Sequence, residues 1–169
     1  MTTITMHSAS APVFAKLLGN MMQWLEAAKA HAEAKKFSTD VYLTLRLAPD
    51  MLPFPKQIQI ASDAAKGCIA RLSGQEAPKF EDNEATLDEL IARLQKTHDY
   101  VLSVAATAID GSENREITIP RRAGEPLKFD GHTYLRHFAL PNFYFHATTT
   151  YALLRQAGVP LGKGDFLGA

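Results

Sequence analysis

The sequence predicts an all-α protein with four long helices, and three kinds of observation support this fold class. Apolar residues recur three and four positions apart over each of four stretches, which is typical of amphipathic helices. Helix start and stop signals lie at the ends of these stretches, and segments with proline or glycine separate them. With 169 residues, 46% of them hydrophobic, the chain is long enough to bury a sizeable core. We therefore expect residues 1–169 to form a single domain.

The first helix is predicted to span residues 11–35. Ser10 precedes it as a candidate N-cap, and Pro12 falls in the first turn, where its missing N–H costs nothing. The apolar face of this helix consists of Phe14, Leu17, Leu18, Met21, Leu25, Ala28 and Ala32. His31 lies at the edge of that face, so we interpret it as a partly exposed flanking residue.

The second helix is predicted to follow Pro55 and to end near Gly74, after a long connection over residues 37–55. A connection of this length with apolar content is expected to pack down and to close one end of the helical core. The apolar face of the helix consists of Ile58, Ala61, Ala65, Ile69 and Leu72. Gln59 and Asp63 lie together on a second face, one turn apart.

The third helix is predicted to begin at the capping-box pattern Thr86-Leu-Asp-Glu89 and to continue to about Ile109. Its inward positions are Leu87, Leu90, Ile91, Leu94, Val101, Val104 and Ala108. Thr97 and His98 fall on the same face. His98 is therefore predicted to point inwards.

A short β-hairpin is predicted between the third and fourth helices. Residues 116–119 alternate polar and apolar side chains, and residues 127–129 repeat the alternation after a turn-forming segment. Arg121 and Arg122 in that turn suggest an anion site, although paired arginines in a turn are more often solvated charges.

The fourth helix is predicted to extend from Asp130 to Val159 and to be kinked by Pro141, which removes a backbone hydrogen bond. Asn142, His146 and Thr150 recur every four residues and form a polar stripe beside the apolar face. Because this stripe borders the core, it is the best candidate for a functional site. Gly158, placed for a left-handed cap, and the Val159-Pro160 dipeptide end the helix.

Residues 140–168, LPNFYFHATTTYALLRQAGVPLGKGDFLG, resemble the C-terminal signature of a bacterial family of unknown function. That family belongs to the DinB/YfiT-like superfamily, whose members are proposed metalloenzymes. Residues 50–57, 70–74 and 93–97 support the resemblance, which extends over nearly the whole chain. It implies an up-down four-helix bundle.

The resemblance also implies where a metal site would lie. Proteins of this superfamily typically hold a divalent metal with one histidine from helix two and a histidine pair, one turn apart, from the last bundle helix. Aligned on the Leu-Leu-Arg-Gln-Ala-Gly-Val segment, His146 takes the second position of that pair and Asn142 the first. Between His31 and His98 the chain has no histidine, so helix two supplies none. By this alignment one of three expected ligands is present.

We therefore predict a degenerate metal site that binds a small polar ligand through hydrogen bonds. The candidate ligand-binding residues are Asn142, His146, Gln59, Asp63 and His98. No cofactor is expected, because one imidazole and one amide do not hold a late first-row metal against water. The alternative is a metal-dependent transferase or hydrolase with a non-standard site, in which His146, His98 and Asp63 would hold zinc, nickel or iron.

Composition narrows the other function classes. Eighteen basic residues balance eighteen acidic ones, and no face combines lysines and arginines with aromatics, so we expect no nucleic-acid binding. No apolar run approaches the ~20 residues of a membrane helix. The first ten residues lack the pattern of a signal peptide, and the one cysteine, Cys68, cannot form an internal disulfide. These features predict a cytoplasmic protein without membrane association.

A third hypothesis is a structural or partner-binding homodimer. Tyr144 and Tyr151 are seven residues apart and share one face of the fourth helix. We expect them to contribute to a homodimer interface. The alternative is that they pack under the connection over residues 37–55.

Overall fold

The computed structural model describes residues 3–121 and 123–169, and the chain is mostly helical. The helices are α1 (Ala11–Lys35), α2 (Asp40–Leu43), α3 (Phe54–Ser73), α4 (Leu87–Ser103), α5 (Ala106–Ile109), α6 (Gly131–Tyr134), α7 (Leu140–Gln156) and α8 (Lys163–Leu167). A π-helical turn at Leu135–Ala139 joins α6 to α7, and strands β1 (Ile117–Ile119) and β2 (Leu127–Phe129) precede α6.

The four long helices pack against one another in a closed arrangement. Helix α1 contacts α4 and α7, and α3 contacts the same two helices. Helices α3 and α7 are antiparallel, because Gln57 near the start of α3 meets His146 in α7, whereas Arg71 near its end meets Tyr134 before α7. Buried apolar side chains from all four helices form one contiguous core. Phe14 near the start of α1 and Phe143 near the start of α7 pack edge to face, with ring centroids 4.9 Å apart.

Helix α1 has the predicted boundaries, but Ser10 does not cap it through its side chain. The Ser10 hydroxyl donates to the carbonyl oxygen of Met6 at 2.6 Å, which lies before the helix. Serine readily bonds to nearby backbone carbonyls in this way, and the prediction of a side-chain cap was wrong. His31 is partly exposed as expected, and its Nδ1 lies 2.7 Å from the hydroxyl of Tyr42.

The second and third predicted helices correspond to α3 and α4. Gly74 ends α3 in the left-handed conformation, with φ of 73°. At the start of α4 the capping box is confirmed: the Thr86 hydroxyl accepts from the Glu89 N–H, and the Glu89 carboxylate accepts from the Thr86 N–H. Helix α4 ends at Ser103, earlier than predicted, because Val104 adopts an extended conformation and the chain begins the separate short helix α5 at Ala106.

The hairpin is confirmed. Strands β1 and β2 pair antiparallel, and Thr118 is opposite Lys128 at the centre of the ladder. Arg122 lies outside the described residues, so the anion site suggested for Arg121 and Arg122 stays a prediction.

The predicted fourth helix is interrupted before Pro141. Instead of the predicted kink at Pro141, the backbone widens before the proline into the π-helical turn, where the Leu140 N–H donates to the carbonyl of Leu135, five residues back. The wider turn gives room to the proline ring, which otherwise clashes with the carbonyl four residues before it. Gly158, with φ of 93°, forms the predicted left-handed cap, and the Val159 N–H donates to the Leu154 carbonyl at 3.1 Å.

The C-terminal helix α8 covers part of α1. Trp24 is fully buried there; its ring stacks on Phe166 at 5.4 Å and its N–H donates to the carbonyl of Asp165. Tyr151 packs edge-on against both rings, whereas Tyr144 is 39% exposed. The two tyrosines therefore do not form one outer surface, and the homodimer stays a prediction. No helix in the described part of the chain is long and apolar enough to span a membrane.

Candidate functional site

The seam between α3 and α7, which we call the α3–α7 groove, contains two residues of the predicted polar stripe. Asn142 borders a cleft in this seam, whereas His146 does not line the cleft and instead contacts Gln57 of α3. Asn142 and His146 are both partly buried, one turn apart, and face α3. Opposite Asn142 the side chain of Ala64 is small, so the helices leave a cleft of about 170 Å³. The cleft is lined by Ile60, Asp63, Ala64, Arg71, Ile119, Tyr134, Phe138, Ala139 and Asn142.

His146 is held by a short chain of hydrogen bonds. Its Nδ1 lies 2.7 Å from Oε1 of Gln57, and Nε2 of Gln57 donates to the carbonyl oxygen of Leu52 at 2.8 Å. Because a backbone carbonyl only accepts, the Gln57 amide must present its oxygen to the imidazole. His146 therefore carries its proton on Nδ1 and leaves an unprotonated Nε2.

The environment keeps this imidazole neutral. Burial lowers the pKa of His146 below its ordinary value, so the neutral form prevails at pH 7. The Phe145 ring meets it edge-on at 5.1 Å. Nε2 has no hydrogen-bond partner within residues 3–121 and 123–169. A neutral imidazole with a free Nε2 can accept a hydrogen bond from a ligand or take up a proton from it.

Thr150, the third residue of the stripe, does not belong to the groove. Its side chain is fully buried, and its hydroxyl donates to the carbonyl of His146 within the same helix. It therefore supports the backbone that carries the imidazole. Asn142 and His146 remain as the two partly buried polar residues of the stripe.

Gln59 and Asp63 are engaged elsewhere. The Gln59 amide donates to Glu84 at 2.7 Å. Asp63 borders the cleft, but its Oδ1 accepts from Lys66 at 2.8 Å and from Arg93 at 3.0 Å. Both residues thus belong mainly to an ionic network centred on α4.

That network is built around Arg93, a residue that the sequence-based prediction missed. Its side chain is 2% exposed and forms ion pairs with Asp63, Asp82 at 3.0 Å and Glu84 at 2.9 Å. It also donates to the carbonyl of Glu81 and so attaches the loop before α4 to α3 and α4. The sequence does indicate this network. Arg93 lies on the apolar face of an amphipathic helix, and three of the four residues at positions 81–84, in the loop before that helix, are acidic.

His98 is not brought to the groove. Its side chain is 27% exposed, and its nearest polar partner is Asp99, at 3.4 Å. The residue follows buried Thr97 and is therefore rotated by about 100° around the helix, to the edge of the apolar face. The alternative metal set of His146, His98 and Asp63 is consequently not assembled. Among the described residues, no group of three or more His, Cys, Asp or Glu side chains is placed to hold a metal ion.

Comparisons with known proteins agree with the resemblance found in the sequence. A family model described as a domain of unknown function (DUF1993) matches residues 6–167. The chain is similar to a solved structure, that of a DinB family member protein from Shewanella denitrificans, with 38% sequence identity and a TM-score of 0.86. The likeness covers 96% of this chain and 92% of that one. A search of curated proteins finds no match.

Proposed function

The chain belongs to the DUF1993 family of domains of unknown function, and on this premise we propose that it binds a small polar ligand in the α3–α7 groove. We also propose that its four long helices form the four-helix bundle of the DinB/YfiT-like superfamily, which their mutual packing supports. The strictly alternating up-down order predicted from the sequence does not fit the contacts, because α3 and α7, the second and fourth long helices, are antiparallel and would be parallel in such an order. Lys29 near the end of α1 meets Asp88 at the start of α4, so the first and third long helices are antiparallel as well.

One observation carries the functional proposal. Gln57 holds His146 so that an unprotonated Nε2 stays available, and Asn142 one turn away adds an amide that can donate and accept. Sites for small molecules combine a concave surface with a few polar groups that are held in place, which is the arrangement here. The ligand would bind through hydrogen bonds to these two side chains.

The same donor set does not fit the divalent metal that the superfamily implies. Nδ1 of His146 is engaged with Gln57, so this histidine offers a single donor atom. Asn142 adds an amide, which is a poor ligand for zinc, nickel or iron, and the carboxylate of Asp63 is already paired with two cations. The residues of the groove therefore favour a ligand held by hydrogen bonds over a tightly bound metal.

A thermal-shift screen with small amides, alcohols and carboxylic acids tests the proposal. A ligand at 100 times its Kd stabilises the folded state by about 2.7 kcal/mol, which gives a measurable rise in melting temperature. We expect His146→Ala and Asn142→Ala each to abolish the shift of such a compound. His98→Ala is the matched control and should leave it unchanged, because His98 lies away from the groove.

Two results would contradict this function. Stoichiometric zinc, nickel or iron in untagged protein, lost on His146→Ala, would favour a metal-dependent transferase or hydrolase instead. If the thermal shifts persisted in both His146→Ala and Asn142→Ala, the compounds would bind outside the groove. That result would favour the hypothesis of a structural or partner-binding protein.

A further inference from the structure

Arg71 is a cation of the groove with no acidic partner. It is partly buried near the end of α3, and its Nη1 donates to the neutral hydroxyl of Tyr134 at 3.1 Å. No ion pair in the described part of the chain includes it. By contrast, the buried Arg93 has three carboxylate partners. Because a partly desolvated guanidinium is stabilised by a negative partner, Arg71 is suited to an anion from outside the chain.

A glycine holds the guanidinium in the groove. A Cβ at position 67 would lie 2.6 Å from Nη1 of Arg71, so the side chain folds back by one turn over Gly67. There the guanidinium carbon lies 5.9 Å from the centroid of the Tyr134 ring. Any larger residue at position 67 would displace it from this position.

Further hydrogen-bond donors line the same cleft. The Tyr134 hydroxyl accepts from Arg71, which leaves its own proton free to donate. Burial raises the pKa of Tyr134 to about 12, so this proton is retained at pH 7. The Asn142 amide also borders the cleft, and no hydrogen-bond partner for it is found among the described residues. Two neutral donors thus accompany one positive charge.

The acid in the cleft does not neutralise Arg71. Asp63 is the one carboxylate that lines the cleft, and Lys66 and Arg93 already offset its charge. The remaining wall is apolar, with Ile119 and the ring of Phe138. A pocket with a guanidinium, two neutral donors and an apolar wall complements an organic acid better than a fully hydrated inorganic ion.

We propose that the ligand of the α3–α7 groove is a small organic carboxylate, whose carboxylate group binds to Arg71, Tyr134 and Asn142. This inference rests on the ligand-binding function proposed above and names the chemical class of the ligand. It shares Asn142 with that function and assigns no contact to His146, which does not line the cleft. The cleft volume of about 170 Å³ suits a molecule of roughly the size of one aromatic ring with a carboxylate group.

Benzoate and benzamide provide a matched pair of probes, because they have nearly the same shape and differ in charge. In a titration followed by amide chemical shifts, benzoate should give saturable changes at residues around the cleft. Benzamide should bind at least about tenfold more weakly, since charge-assisted hydrogen bonds are markedly stronger than neutral ones. Inorganic phosphate should bind more weakly than benzoate, so it should displace benzoate only at phosphate concentrations above the benzoate Kd.

Two variants assign the charge to Arg71. Arg71→Gln should weaken benzoate binding by about tenfold or more and leave benzamide binding unchanged. Gly67→Ala should weaken benzoate binding as well while the melting temperature is retained or raised, because alanine is favoured inside helices. Arg115→Gln, a change in an exposed arginine outside the cleft, should leave both affinities unchanged.

The carboxylate inference would be overturned if benzoate and benzamide bound with equal affinity, or if Arg71→Gln left benzoate binding unchanged. The groove would then be a site for neutral polar ligands. Binding of neither probe would overturn the inference too, as would tighter binding of phosphate than of benzoate. The proposed function fails separately, when no compound of the wider screen depends on His146 and Asn142.

Discussion

Replacing Arg93 by methionine is expected to lower the free energy of unfolding by about 3 kcal/mol, at the low end of the cost of breaking a buried ion pair. The arginine is 2% exposed and has carboxylate partners on α3 and on the loop before α4. Methionine fills much of the volume but leaves these acids facing one another. The low end of the range applies because Asp63 and Asp82 are 47% and 43% exposed and keep part of their hydration.

Acidic pH should reduce this difference. Burial raises the pKa of Glu84, but the hydrogen bonds from Arg93 and Gln59 outweigh it, and the net pKa lies below the ordinary value. A carboxyl with a depressed pKa in the folded state stabilises the protein above its unfolded pKa of about 4.3, and this contribution is lost as the pH falls through the folded pKa. The wild type should therefore lose more stability than Arg93→Met between pH 7 and pH 3.

Urea unfolding of both proteins at the two pH values measures the effect. Lys29→Met is the matched control, because Lys29 forms ion pairs with Glu26 and Asp88 at the surface of α1. Removal of this solvent-accessible cation should lower the free energy of unfolding far less than Arg93→Met does. An Arg93→Met protein as stable as the wild type at pH 7 would show that the network does not hold the loop.

Gly131→Ala is expected to have an effect of similar size, about 3 kcal/mol, from overpacking. Gly131 is buried where the hairpin leads into α6, and a Cβ there would collide with the backbone carbonyl oxygen of Ser112. This backbone is not free to move, because the His132 N–H donates to the carbonyl of Glu113 at 2.9 Å. The cost is steric, since Gly131 does not have a positive φ.

Gly19 provides the opposite control. It lies within α1, and apart from the nearby backbone of the helix itself and the adjacent residues, a Cβ there would meet no atom within 4 Å. Gly19→Ala should raise the stability by about 0.5–1 kcal/mol, through helix propensity alone. Thermal or urea unfolding of the two alanine variants checks both signs. A neutral or stabilising Gly131→Ala would mean that the segments on either side of the contact can separate without cost.

The parts of the fold that are determined by residues close together in the sequence were predictable. The limits of α1, the capping box at Thr86 and the cap at Gly158 all depend on contacts within a few positions. The end of α4 was not predictable in this way, because the apolar periodicity continues through Val104 and Ala108 although the backbone becomes extended at Val104. Nor was the π-helical turn before Pro141, since the backbone has more than one way to relieve the proline.

The candidate site was predictable only in part, for a related reason. Periodicity places Asn142 and His146 together on α7, but it does not show which residues of α3 lie opposite them. Gln57 and Arg71 contribute through contacts across the helix seam, and the sequence-based prediction named neither. His98 shows the converse error, since one position beyond a buried residue is enough to turn a side chain out of the core.

The proposed ligand-binding function depends most on the protonation state of the His146 imidazole, and long-range ¹H–¹⁵N spectra of the histidine rings measure this state directly. Near pH 7 we expect a protonated Nδ1 and an unprotonated Nε2, with a pKa below the ordinary histidine value. Gln57→Leu should release this preference for one tautomer. A protonated Nε2 in the wild type, or a pKa above the ordinary value, would contradict a groove that offers a free, neutral imidazole nitrogen to its ligand.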